Sequence, residues 1–162
     1  MGDALYAQSR LFNYAWAHGK HVLVVLKENR PDLLRDARQL FERMAGQSAH
    51  GACKQLWDLE GFTTWPDVHA PVRVVRSLET RAIRRQLDGQ KETRTSDWFW
   101  VTTLSCAQVP TAAVVQLGHA RWDIENHAFN ELVNRWHADH VYKHQPNAML
   151  VFWLMACVCL NL

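Results

Sequence analysis

The sequence predicts an α/β fold, and three observations carry that expectation. A short, continuously apolar run, HVLVVLK (21–27), lies between two stretches of helical periodicity. Such a β-branched run marks a strand covered on both faces. Two alternating segments, VRVVRSLE (72–79) and SDWFWVTTLS (96–105), have the pattern of antiparallel strands. The last third returns to helical spacing.

Each element can be justified in order. Leu11, Phe12, Ala15 and Trp16 repeat at helical spacing, and Gly19 is placed to stop that helix. After the apolar strand, ENRPD puts Pro31 in a first helical turn. Leu33, Leu34, Ala37, Leu40, Phe41 and Met44 then form a 3.6-residue stripe, with Gly46 near its end. Residues 1–47 therefore form a helix-strand-helix unit, in α/β order. Residues 48–108 form a β-rich insertion, with a turn signal at Asp88-Gly89 and one strand face carrying Trp98, Trp100, Thr102 and Leu104. Residues 109–162 hold three helices. A short one starts at Pro110 and Thr111, a long one is RWDIENHAFNELVNRWHADH (121–140), and an apolar one follows Gln145-Pro146-Asn147.

Composition narrows the class. With 48% hydrophobic and 21% charged residues in 162, the chain is a folded protein of ordinary domain size rather than a disordered one. The four cysteines have no CxxC spacing and no disulfide framework, and no signal peptide is visible, so a cytoplasmic, reducing compartment is expected. The apolar stretch 148–160 is shorter than the roughly 20 residues of a membrane span, which predicts a core helix and no membrane partner. The formal charge is only +2, but residues 71–95 hold seven basic side chains against three acids, a local +4.

Two features carry chemistry. Asp3, in GDALYAQ (2–8), has the setting of an acid at the end of a buried strand. Arg121 and Glu125 are four apart on a helix and thus expected on one face. Carboxylates brought together from a strand end and a packed helix would hold Mg2+ or Mn2+, hard cations that take oxygen ligands.

These residues resemble a known family. GDALYAQ, VLVVLKENRPDLLRDARQLF, a β-rich insertion and GHARWDIENHAFNELVNRWHADHVYKH together look like the C-terminal part of an IS4-type DDE transposase, over essentially the whole chain. The resemblance implies a partial RNase H-like core, with Asp3 as the second aspartate and Glu125 as the glutamate of a three-acid, two-metal site. Asp3-Ala4-Leu5-Tyr6 matches the strand-end motif, and Arg121, Trp122, Ile124, Glu125 and Asn126 match R-W-x-I-E-N. Arg121, Trp122, Asn126 and Lys27 would support the site. It further implies a magnesium-dependent bacterial enzyme that nicks DNA at insertion-sequence ends and joins it to target DNA, as a possible homodimer. The family's first aspartate lies upstream of Asp3, so the resemblance implies an inactive fragment. The chain departs from the pattern at Gly118, where the family has tyrosine, and at Leu132, where it has lysine; Lys143 is too far along the helix to stand in.

Other readings compete. Arg81, Arg84, Arg85, Lys91 and Arg94 are either a solvated loop or DNA-contacting side chains. Asp139 is a third acid, but on a continuous helix it would lie about 21 Å from Glu125. His137, His140 and His144 would share a helical face able to take zinc, or simply a wet one. Trp98 and Trp100 are expected in the core. The alternative function is a non-catalytic DNA- or protein-binding remnant that modulates an intact transposase.

Overall fold

The computed structural model describes residues 1–49, 53–84, 90–140 and 144–160. It divides into two compact units, Met1–Gly118 and His119–Leu162.

The first unit is built on one five-stranded sheet. A short 3-10 turn, Ala4–Tyr6, leads into α1, Ser9–Ala17. Gly19, with φ of 64°, adopts the left-handed backbone that glycine tolerates and lets the chain reverse into β1, Leu23–Val25. Pro31 opens α2, Pro31–Glu42. Then come β2 (Gln47–Ala49), β3 (Lys54–Glu60), β4 (Arg73–Arg84), β5 (Lys91–Thr102) and α3 (Thr111–Asp123). The strand order is β1-β5-β4-β3-β2, and every pairing between these strands is antiparallel.

All three residues of β1 are buried, as its unbroken apolar run predicts. Alternate residues serve different layers. Val24 joins Phe12, Leu33, Ala37, Phe41 and Phe99 under α1 and α2, whereas Leu23 and Val25 join Val75, Trp100, Val114 and Val115 under α3.

The only parallel pairing among the described residues is the single bridge between Gly2 and Val24. Two expectations change. The basic stretch is not a loop: β4 and β5 continue beyond their alternating segments and pair from Arg73↔Thr102 to Arg84↔Lys91. The short and long helices of the last third are one helical run, in which α3 passes into a π-helix, Ile124–Phe129, and then α4, Asn130–Trp136.

In the second unit α4 ends where His137 takes φ of 49°. Helix α5, Pro146–Leu160, packs against α4 through Phe152 and Ala156 near Leu132 and Ala138. No described helix is long and apolar enough to cross a membrane.

Candidate functional site

Asp3 follows a short parallel pairing. Gly2 donates its N–H to the Leu23 carbonyl at 3.0 Å and bridges Val24. The next residue, Asp3, is extended, and its Oδ1 accepts from the Ala4 N–H at 2.7 Å, capping the 3-10 turn. A carboxylate has two oxygens and about four lone-pair positions, so capping and cation binding use different ones. The chain leaving β1 comes back to the same edge. Lys27 lies two residues past the strand, Asn29 Nδ2 donates to the Ala4 carbonyl, and Arg30 Nε donates to the Ala7 carbonyl at 2.8 Å. Asn29 is thus held against the turn that Asp3 caps.

The R-W-x-I-E-N residues lie in the second unit. Arg121 lies in the last turn of α3, with its guanidinium 4.7 Å from the Trp122 ring centroid, a cation–π pair. Glu125 and Asn126 fall in the π-helix. The wider i→i+5 winding interrupts the four-residue register assumed between Arg121 and Glu125. The Asn126 carbonyl accepts from Asn130 Nδ2 at 2.7 Å. Wide turns of this kind often occur at functional sites.

The histidine face does not form. Since α4 ends at Trp136 and His137 turns left-handed, His137, His140 and His144 are not on one helix, and the straight-helix separation of Glu125 from Asp139 does not apply. Among the described residues, no three His, Cys, Asp or Glu side chains form a group that could hold a metal ion.

Of the basic residues, Arg81, Arg84, Lys91 and Arg94 are exposed on the β4–β5 ribbon, whereas Arg85 and the predicted Asp88-Gly89 turn lie outside the described residues. The local charge is smaller than its sequence total. Arg76 is occupied by Asp97, at 2.8 and 3.0 Å.

Arg73 is withdrawn altogether. It is 2% exposed, its Nε donates to Asp58 Oδ1 at 2.8 Å, and its Nη2 meets Asp58 Oδ2. Nη1 reaches the Val109 and Leu104 carbonyls at 2.8 and 3.2 Å, and Thr111 Oγ1 donates to Asp58 Oδ2 at 2.6 Å. This clamp ties β3 and β4 to the start of α3. Burial alone would raise the Asp58 pKa, but hydrogen bonds from Arg73 and Thr111 and the guanidinium charge hold it below the usual carboxylate value. Nearby, the Cys106 thiol is pushed up to about 11, first by desolvation and then by the Glu60 and Asp58 carboxylates. The sequence offers one signal for the clamp: an arginine between Val72 and Val74 in a buried strand needs an acid.

Trp100 is buried and stacks with Trp98, ring centroids 6.0 Å apart. It also explains Gly118. A Cβ there would lie 2.3 Å from Trp100 Nε1 and 2.6 Å from Cε2, so the indole occupies the space a side chain would need.

A family model described as Transposase DDE domain matches residues 1–162. No curated protein and no solved structure matches the chain.

Proposed function

The chain belongs to the Transposase DDE domain family, and from that premise we propose that it carries two of the three acids of an IS4-type transposase, Asp3 and Glu125. The observation that carries this reading is Asp3 just past the Gly2–Val24 bridge, in the turn that Asn29 holds, within residues 1–162 that the family model matches. The donor chemistry fits hard cations, since a carboxylate at a strand end offers oxygen to Mg2+ or Mn2+. When bound, a pair of such ions activates the attacking oxygen and stabilises the leaving one during in-line attack at phosphorus. The DNA substrate would be the insertion-sequence ends and then the target. Arg121 and Lys27 would counter phosphate charge, and Asn126 and Trp122 would hold the arginine and glutamate segment.

The test is a Mn2+ titration followed by electron paramagnetic resonance, on the wild type and on Asp3→Asn and Glu125→Gln. Weakening by either substitution is the expected result. Equal affinity in all three proteins would refute shared cation binding. The alternative, a DNA-binding remnant acting on an intact transposase, draws its support from the exposed basic ribbon. It predicts salt-sensitive DNA binding that survives Glu125→Gln.

A further inference from the structure

The pairing register of β4 and β5 sets like charges opposite one another. Arg81 faces Arg94, and Arg84 faces Lys91. Directly opposed side chains share a face with Cβ atoms about 5 Å apart, and like charges there are destabilising. Successive side chains alternate faces, so the first pair lies on one face of the ribbon and the second on the other. In the same register Glu92 faces Ile83, and Arg81 shares the buried Glu79 with Lys54, at 2.9 and 2.8 Å.

Among the described residues, no third strand pairs with this part of the sheet. The last β3 residue paired with β4 is Lys54, opposite Glu79, and β1 reaches β5 only at 100–102. From Thr80↔Thr95 to Arg84↔Lys91 the structure is a two-stranded ribbon, about 17 Å long for five residue pairs. All four basic residues are exposed. Cations on both faces suit a ligand that offers anions on two sides at once. A DNA groove does this, with a phosphate wall on each side. A ribbon with two side-chain layers is about 10 Å thick, taking the spacing of packed sheets. The major groove, about 12 Å wide, admits it, and the minor groove, about 6 Å wide, does not.

We infer that the β4–β5 ribbon inserts into the major groove of duplex DNA, with Arg81 and Arg94 on one phosphate wall and Arg84 and Lys91 on the other. The inference rests on the DNA-binding reading above and specifies how the duplex is held.

The experiment measures fluorescence anisotropy of residues 1–162 on a duplex across a salt series. It compares the wild type with Arg81→Gln/Arg94→Gln, with Arg84→Gln/Lys91→Gln and with the control Arg35→Gln on exposed α2. Each ribbon pair should weaken binding ~10- to 100-fold at 0.1 M salt and reduce the log–log salt slope by about 1.8, the value for two phosphates. The control should bind as wild type. Arg81 also pairs with the buried Glu79, so a thermal melt of each variant beside the wild type separates lost binding from lost folding. Methylating guanine N7 in the major groove should interfere, and a minor-groove drug should not compete. Binding that depends on one pair only, or on neither, overturns groove insertion while DNA binding itself stands. Competition by the minor-groove drug without N7 interference also overturns it. A wild-type protein that binds no duplex overturns both readings.

Discussion

Arg73 stands at the junction of two strands and the segment that starts α3, and its charge is matched by Asp58 alone within its own clamp. Arg73→Met would leave that carboxylate buried without its cation, at a cost of about 3–5 kcal/mol, measured as a lower urea midpoint with unchanged slope. The pH dependence has a definite sign. Asp58 has a folded pKa below its ordinary 3.8, so its stabilisation is complete above that value and is lost as pH falls through the folded pKa. Acid unfolding should therefore begin at higher pH in Arg73→Met. Gly118 is the second residue whose identity is set by a neighbour. Gly118→Ala would press a methyl into the Trp100 indole and destabilise by ~1–3 kcal/mol, read as a fall in melting temperature. Glycine at the family's tyrosine position is thus legible only once Trp100 is known to lie over it. The buried arginine was counted with the surface charge for the same reason: sequence distance hides a partner 15 residues away across a strand pair.

At the scale of elements, periodicity served well where one face or both faces of a segment are buried. β1, α1 and α2 follow their apolar patterns because burial fixes them. Alternation identified β4 and β5 but understated their length, since the exposed ribbon obeys backbone pairing and not a hydrophobic pattern. β2 and β3 were not resolved as strands by pattern, and β3 contains the Asp58 needed by Arg73. The end of α4 escaped notice because histidine gives no stop signal. His137 nevertheless sits in the left-handed region that costs a side-chain-bearing residue about 1–2 kcal/mol. His137→Gly should therefore raise the melting temperature, by about 0.5–1 kcal/mol of stability after the extra freedom of unfolded glycine is set against it. An unchanged or lower melting temperature would show that His137 is held there by compensating contacts.

For the whole molecule, fold class and family were legible because GDALYA and R-W-x-I-E-N frame a β-rich middle. The partition 1–47, 48–108 and 109–162 was drawn from composition. The sheet runs through the first two segments without a break, with β1 paired to β5, and the compact units divide within α3 after Gly118. Pairing between distant strands leaves little trace in local pattern, so that continuity could not be read beforehand.

The unbroken sheet has a geometric result of its own. The outermost described ribbon pair, Arg84↔Lys91, and the acid at position 3 are fastened to one slab, the latter through Gly2↔Val24. Strand residues advance about 3.4 Å each, the same step as one DNA base pair. The slab then works as a ruler: trimming two residue pairs from the ribbon would draw its outer end about 7 Å back along the sheet without exchanging the ribbon's faces.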